Sequence, residues 1–195
     1  MFLGLDHITL NLSKNKKKFN KNYFKLFESK KAVNNLNKKI FLRRYKKKHF
    51  ITFFTSKDNI PDYEFTCYSN KNLFSFDCIE VKDNKIIIKT SDLKADKTIL
   101  SKIFKIKNKI TSIFNSKNFK ISFTKKNQIK YYLDDVGTVC LAFVVSGIKN
   151  YYKNLSKINK LEMTKIFDYK INKRKNKIFF FRLPGGLIIE IIEYF

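Results

Sequence analysis

The sequence lacks Trp and has only two Pro, five Gly and three Cys in 195 residues. With so few glycines a phosphate-binding glycine loop is not expected, and neither GxGxxG nor GxxxxGK occurs. The GxSxG and HExxH signatures are missing as well, which argues against the common serine-hydrolase and zinc-protease sites. The three cysteines are widely spaced, without a CxxC pair, and therefore predict reduced thiols in the cytoplasm rather than disulfides or a zinc knuckle.

Long apolar runs are also missing. No stretch approaches the roughly 18 apolar residues of a membrane-spanning helix. The N-terminal stretch meets Asp6 and His7 before any long apolar segment, so a signal peptide is not expected. These absences predict a cytoplasmic protein with no membrane partner. The chain is nevertheless 44% hydrophobic with 21 Phe, which is enough to fill a core.

Arginine is scarce although the formal net charge is +26. The arginines are Arg43, Arg44, Arg174 and Arg182, and every other basic residue is Lys. Direct base readout and bidentate phosphate clamps favour Arg. The Lys excess accompanies many Asn, Ile and Phe, as A/T-rich codons would produce. We expect no specific nucleic-acid partner, and only salt-sensitive, sequence-independent binding if any. A polyanion-binding protein stays open as a reading that rests on charge alone.

An internal repeat is the most informative pattern. Residues 7–13 (HITLNLS), 85–91 (KIIIKTS) and 140–146 (CLAFVVS) align without gaps. Each is strand-like and ends at Ser, a residue that favours the N-cap of a helix. Apolar residues at helical spacing follow each segment and predict three helices. They are Phe19, Tyr23, Phe24 and Phe27 in the first unit, residues 93–104 in the second and residues 148–158 in the third.

Three short strand-like runs follow each predicted helix, clearly at both ends of the chain and weakly in the centre. They are residues 39–45, 49–55 and 63–69, then 109–116, 118–124 and 128–133, then 164–171, 177–183 and 186–195. The predicted fold class is α+β, built from repeated βαβββ modules. The first module is 1–69, a degenerate middle unit or insertion is 70–133, and the last module is 134–195. The alternative is a generic α+β protein whose three short segments match by chance.

The opening LDHITLNLS, with the aromatic-rich stretch after it, resembles the first strand and helix of the vicinal-oxygen-chelate superfamily. The closing RLPGGLIIEIIEYF resembles its final turn and strand. That superfamily includes glyoxalases, bleomycin-resistance proteins and extradiol dioxygenases. The resemblance covers residues 3–69 and 134–195. It implies paired βαβββ modules whose curved sheets form a cup, with metal ligands on the first and last strands of each module.

Carried onto this sequence, the metal-ligand pattern of the family falls on His7, Glu64, Cys140 and Glu190. The separations are comparable, 57 residues for the first pair and 50 for the second. Cys140 departs from the pattern, because thiolate is unusual in oxygen-chelating chemistry. The predicted ligands are therefore His7, Glu64 and Glu190, with His7 and Glu190 also catalytic. A one-residue error at Glu64 would turn it to the other face of its strand.

An imidazole and two carboxylates suit a divalent ion such as Fe, Mn, Ni or Zn. A lone His in an apolar strand is alternatively a structural residue with no ligand, and Cys140 is alternatively a small buried apolar side chain. Glu190 lies among four isoleucines and needs a partner if it is buried. His49 ranks below His7 as a site residue, and Tyr63, Tyr68 and Arg182 could orient a substrate anion.

Two functions from different classes are compatible with the resemblance. The first is a metal-dependent lyase, isomerase or ring-cleaving dioxygenase that acts on a small oxygen-rich molecule. The second is a metal-free, small-molecule-binding protein of the resistance type. In the second case the two carboxylates would repel, one pKa would rise, and a Lys or Arg would enter the cup as counter-charge. The expected partner is a small-molecule substrate or ligand, and a homodimer is compatible with either function.

Overall fold

The structure is a computed structural model that describes residues 1–12, 23–29, 36–44, 49–56, 61–68, 77–127, 130–171 and 174–195. These residues form twelve strands, two α-helices and one 3-10 helix. The strands are β1 (Phe2–Asn11), β2 (Tyr23–Glu28), β3 (His49–Ser56), β4 (Tyr63–Tyr68), β5 (Ile79–Lys82), β6 (Lys85–Thr90), β7 (Lys109–Thr111), β8 (Asn118–Lys125), β9 (Gly137–Val145), β10 (Phe167–Ile171), β11 (Arg174–Arg182) and β12 (Ile188–Tyr194). The helices are the 3-10 helix Leu36–Phe41, α1 (Leu93–Ile103) and α2 (Ile148–Ser156). None of the helices in these ranges has the length and apolar character needed to cross a membrane.

Eight strands form one sheet in the order β10-β11-β12-β9-β1-β4-β3-β2. In each half the first strand pairs in parallel with the last, β1 with β4 and β9 with β12. The other two strands of each half add to the outside in antiparallel pairs. The halves meet at the antiparallel β1–β9 pair. The sheet thus consists of two units with the same strand order, related by a pseudo-twofold axis, as the repeat predicts.

The middle of the chain forms a separate sheet in the order β5-β6-β8-β7. In this sheet β6 is parallel to β8, and β7 is antiparallel to β8. The three strands thus repeat the order of the other two units, with one strand fewer. The predicted strand 128–133 is wrong, since residues 130–133 are not in a strand, and the unpredicted β5 pairs with β6 instead. Residues 128–129 lie outside the described ranges. The unit boundaries at residues 70 and 133 stay a prediction.

Two predicted elements of the first module are wrong. Tyr23, Phe24 and Phe27 lie in β2 rather than on a helix, and Phe19 lies outside the described residues. Antiparallel pairing with β3 stabilises this strand, and aromatic residues suit strands better than helices. The predicted strand 39–45 is instead the end of the 3-10 helix followed by a turn. There the Asp134 carboxylate, rather than a neighbouring strand, accepts hydrogen bonds from two successive backbone N–H groups.

The second and third predicted helices are confirmed, but their predicted serine caps are wrong. Asp92 caps α1, since its carboxylate accepts a hydrogen bond from the backbone N–H of Ala95. Helix α2 begins after Gly147, whose φ of +82° is left-handed and favours glycine. The carboxylate of Glu193 accepts a hydrogen bond from the Gly147 N–H. A carboxylate therefore stabilises both helix N-termini. Ser13, the third predicted cap, lies outside the described residues.

The eight-stranded sheet is apolar on both faces. On β12, Ile189 and Ile191 pack into the larger cluster, which also contains residues of α1 and α2. Ile188 and Ile192 point the other way, into a second cluster. Because side chains alternate along a strand, Glu190 lies on the face of Ile188 and Ile192. We call this second face the cup face, since it lines the cavity described below.

Candidate functional site

A β-bulge in β1 turns His7 towards the cup. Leu5 pairs with Phe143 and His7 with Ala142, so the register shifts by one residue between them. Leu5 and His7 would share a face in a regular strand, but the shift places Leu5 in the helix-covered cluster and His7 on the cavity. Asp6 is the extra residue of this bulge. Bulges of this kind commonly re-aim a side chain near a functional site.

Strand pairing brings the two glutamates to His7. His7 and Glu190 both pair with Ala142, from opposite sides of β9. Glu64 pairs with Thr9, the next residue of β1 on the cup face. The three predicted side chains therefore meet on one cavity wall. Glu64 points into the cup, so it is not displaced to the other face.

The imidazole of His7 is buried, and both of its nitrogens face carboxylates. Its Nδ1 is 2.6 Å from Oδ1 of Asp6. Its Nε2 is 3.6 Å from Oε2 of Glu190 and 3.7 Å from Oε2 of Glu64. Nε2 has no hydrogen-bond partner among the described residues. The hydroxyl of Tyr194 donates to the other oxygen of Asp6, so the imidazole is held from behind with Nε2 directed at the two glutamates.

Burial and mutual charge shift the pKa values of this cluster. Burial lowers the pKa of His7, but the hydrogen bond with Asp6 and the charges of Glu64, Asp6 and Glu190 outweigh it and raise the pKa to about 9. Burial, followed by the charge of Glu64, raises the pKa of Glu190 to about 8. Burial also raises the pKa of Glu64. The cluster therefore holds protons at neutral pH when no metal ion is bound.

A lysine also enters the cup. Lys38, in the 3-10 helix, lines the cavity and is only 9% exposed. Its ammonium group donates a hydrogen bond to Nε2 of His49 at 3.3 Å and lies 5.7 Å from the centre of the Phe180 ring. Burial lowers the pKa of Lys38, although the charges of Glu64 and Glu190 partly oppose this. Burial and the nearby Lys38 lower the pKa of His49 to about 2, so this imidazole is neutral and accepts the hydrogen bond.

The spacing of His7, Glu64 and Glu190 is slightly wider than a metal ion requires. As the side chains stand, no group of three or more His, Cys, Asp or Glu in the described ranges could hold a metal ion. Two donor atoms on a tetrahedral Zn²⁺ ion are about 3.4 Å apart, given bond lengths of about 2.1 Å. The separations of 3.6 and 3.7 Å are a few tenths of an ångström wider, a difference that small side-chain shifts would close. The buried, unpartnered Nε2 of His7 is what a metal ligand requires.

The comparisons with known proteins give matches by structure alone. No family model and no curated protein matches the sequence. Glyoxalase I from Zea mays is 10% identical, with a TM-score of 0.42, and the match covers 99% of this chain and 68% of that one. The fosfomycin resistance protein FosX from Mesorhizobium loti is 15% identical, with a TM-score of 0.37 and coverage of 59% and 92%. A virulence protein from Salmonella typhimurium is 16% identical, with a TM-score of 0.39 and coverage of 60% and 99%.

The chain has the vicinal-oxygen-chelate fold. The strand order of the eight-stranded sheet decides this. Within each module the strands lie side by side in the order first, last, third, second, and the first strands of the two modules pair at the centre of the sheet. At such low identities and TM-scores the matches carry neither the fold assignment, which rests on the strand order, nor a conclusion about activity.

Cys140 occupies the position that the pseudo-twofold of the vicinal-oxygen-chelate fold relates to His7. His7 pairs with Ala142 and Thr9 with Cys140, so exchanging the two modules exchanges His7 with Cys140 and Glu64 with Glu190. The thiol does not line the cavity, and burial raises its pKa well above the ordinary value. It is therefore a small buried side chain at the position where the family resemblance implies a fourth ligand.

Tyr63 and Arg182, two other sequence candidates, lie away from the three central side chains. Tyr63 packs on the helix-covered face of the sheet, and the side chain of Tyr68 lies outside the described part. Arg182 is buried and donates to Glu162 and to the backbone carbonyls of Tyr131 and Gly186. The described hydrogen bonds of Arg182 do not reach the His7 cluster.

Sequence reasoning missed three residues of the site. Asp6 gives a weak signal, as a carboxylate next to a candidate ligand. Tyr194 sits four residues beyond Glu190 and gives none. Lys38 is one lysine among many in the chain, and only the tertiary structure distinguishes it from the solvated ones.

The cavity is small. Its open volume is about 50 Å³. A buried water needs about 10–15 Å³ measured in this way, so the cup holds a few waters or a ligand of a few heavy atoms. Thr66 and Asn176 line it, and their buried side-chain oxygens have no hydrogen-bond partner among the described residues. Aromatic and aliphatic side chains form most of the remaining wall. They are Ile51, Phe53, Leu133, Phe167, Tyr169, Ile178, Phe180, Ile192 and Tyr194.

Proposed function

We propose that the protein is a metal-dependent enzyme of the vicinal-oxygen-chelate type that acts on a small oxygen-rich molecule. Its reaction is that of a lyase, an isomerase or a ring-cleaving dioxygenase, of which the first two suit the small cavity best. His7, Glu64 and Glu190 hold a divalent ion of Fe, Mn, Ni or Zn, and we expect no specific nucleic-acid partner. One observation carries the proposal: a buried imidazole nitrogen without a hydrogen-bond partner points between two carboxylates.

Each residue has a distinct task in this proposal. Asp6 accepts the hydrogen bond from Nδ1 of His7, which leaves the lone pair of Nε2 for the ion. Glu64 and Glu190 neutralise the ion, and the raised pKa of Glu190 shows how unfavourable its charge is without one. Bound metal supplies a Lewis acid that polarises the substrate oxygens. Glu190 is also the candidate proton acceptor and donor, because its carboxylate lines the cavity that the substrate would enter.

Metal content of protein purified without chelator or tag tests the proposal. We expect about one equivalent of a transition metal, or stoichiometric uptake of Zn²⁺ or Ni²⁺ by calorimetry. Glu190→Gln should weaken binding at least about a hundredfold, because it removes a ligand charge. Glu193→Gln, on the same strand but the other face, is the matched control and should bind like the wild type. Equal affinity of the two variants, or no uptake by the wild type, would refute the proposal.

A metal-free small-molecule-binding protein is the second candidate, and Lys38 favours it. An ammonium group inside the cup is the counter-charge expected if two carboxylates face each other without a metal ion. Cys140, a thiol where the family often has a second His, also favours the metal-free candidate. The metal measurement separates the two candidates, since this one predicts no uptake by either variant.

A further inference from the structure

The ammonium group of Lys38 is incompletely paired. Its described hydrogen bond goes to the neutral Nε2 of His49. It forms no ion pair with Glu64 or Glu190, although their charges reach it through space. An ammonium group has three N–H donors, so two remain for another acceptor. Burying an ammonium group without a directly paired anion is costly.

An unpartnered hydroxyl lies at the same end of the cup. Thr66 follows Glu64 by two residues on β4, and its neighbour on β3 is Ile51, two residues from His49. Its Oγ1 is buried and has no hydrogen-bond partner among the described residues. Thr66 and Lys38 both line the cavity. The two therefore offer hydrogen-bond donors to the same enclosed space, beside Glu64.

We infer that Lys38 and Thr66 form an anion subsite in the cup, which binds the carboxylate of a small organic acid. The acid supplies the anionic partner that the ammonium group lacks and accepts the hydrogen bond of the Thr66 hydroxyl. Its size is limited by the open volume of about 50 Å³, which suits an acid of two to four carbons. A hydroxyl or oxo group next to the carboxylate would then point towards His7, Glu64 and Glu190.

This inference rests on the proposed function only in taking the cup as a small-molecule site, and it does not require a metal ion. Lys38 and Thr66 line the cup beside the proposed ion site and are not among its ligands. A cation held by His7, Glu64 and Glu190 would add a second attraction for the acid, so we expect tighter binding to metal-loaded protein. The preference for a charged over a neutral ligand is expected in both forms.

Lactate and lactamide are the probes, because they have nearly the same shape and differ in charge. We expect chemical-shift titrations of the protein as purified, and again after chelation, to give a dissociation constant at least about tenfold lower for lactate. Lys38→Met should remove this preference, and Thr66→Val should weaken lactate binding alone. Lys39→Met is the matched control: this lysine is exposed on the same 3-10 helix, and its loss should change nothing.

Equal binding of lactate and lactamide to the wild type would overturn the subsite, and so would a preference that survives Lys38→Met. Absence of lactate binding at tens of millimolar would do the same. If Lys38→Met does not fold, as circular dichroism would reveal, the wild-type comparison and Thr66→Val still decide. A charge preference that depends on Lys38 in a protein without metal uptake would uphold the subsite while refuting the metal proposal. Metal uptake without such a preference would uphold the metal proposal while refuting the subsite.

Discussion

Tyr194 in the last strand donates a hydrogen bond to Asp6 in the first, 188 residues away in the chain. The other oxygen of the same carboxylate contacts Nδ1 of His7. The two ends of the chain are thereby joined directly behind the imidazole. This contact sets which nitrogen of His7 faces Glu64 and Glu190, and outer contacts of this kind tune metal affinity.

We predict that Asp6→Asn lowers the pKa of His7 in the metal-free protein from about 9 towards its ordinary value. Asp6 acts on that pKa through both a hydrogen bond and its charge, and asparagine carries no charge. The same change should weaken metal binding by about 10–100-fold. An NMR titration of the imidazole measures the first effect and calorimetry the second. Asp168→Asn, an exposed carboxylate on β10, is the control, and an unshifted His7 in Asp6→Asn would contradict the assignment.

The metal-free protein should lose stability as the pH rises from 6.5 to 9. Native Glu190 keeps its proton up to about pH 8 and native His7 up to about pH 9, whereas their ordinary values are 4.5 and 6.5. The unfolded chain therefore binds fewer protons than the native one, and the free energy of unfolding falls. The fall is at most about 1.4 kcal/mol per pH unit for each group.

His49 makes the stability of the protein fall in the other direction, as the pH decreases. Its native pKa is about 2 against an ordinary 6.5, so protonation of the unfolded chain lowers stability as the pH falls below 6.5. Urea unfolding across this range measures both effects. Glu190→Gln should flatten the alkaline fall below pH 8. Stability that increases between pH 7 and 9 in the metal-free wild type would show that Glu190 and His7 are not protonated as described.

Gly185→Ala should destabilise the protein by about 1–3 kcal/mol, through overpacking. A Cβ at this position would overlap the hydroxyl of Thr90 and the carboxylate of Asp96. Asp96 accepts hydrogen bonds from both Thr90 and the Gly185 N–H, so the turn before β12 is attached to the middle unit at this point. Pro184→Ala, exposed in the same turn, should cost less. Thermal unfolding compares them, and equal melting temperatures would argue against this packing.

Cys140→Ala should leave metal affinity unchanged, because the thiol is buried, protonated and away from the cavity. Labelling of native protein should modify Cys67, which is partly exposed, before Cys78 and Cys140, which are buried. Mass spectrometry of the labelled peptides gives the order. Fast labelling of Cys140, or loss of metal on its replacement, would place the thiol in the site.

The inward side chains of β4 and β12 could be predicted from the sequence because a strand alternates its faces. Glu190 between pairs of isoleucines, and His7 in an aliphatic run, mark buried polar positions without any knowledge of tertiary contacts. The same spacing arguments misassigned Tyr23, Phe24 and Phe27, since three aromatic residues fit either a helix face or a strand. Pairing with β3 decided between them.

Lys38 could not be predicted, for a physical reason. Lysines are so frequent in this chain that composition predicts a solvated surface, and burial of one ammonium group depends on where the 3-10 helix crosses the cup. The bulge at Asp6 was equally hidden, because a shift of register leaves no mark in the residue pattern. The middle unit retained its strand order although its sequence resembles the others weakly.

X-ray absorption spectroscopy of the Zn²⁺-loaded protein tests the central claim most directly, since it reads the ligands of the ion in solution. A site of His7, Glu64 and Glu190 predicts nitrogen and oxygen neighbours at about 2.0–2.2 Å, with the scattering of one imidazole. It predicts no sulfur at about 2.3 Å, because Cys140 is not a ligand. The imidazole signal should disappear in His7→Ala. A sulfur neighbour, or an imidazole signal that survives in His7→Ala, would contradict the assignment.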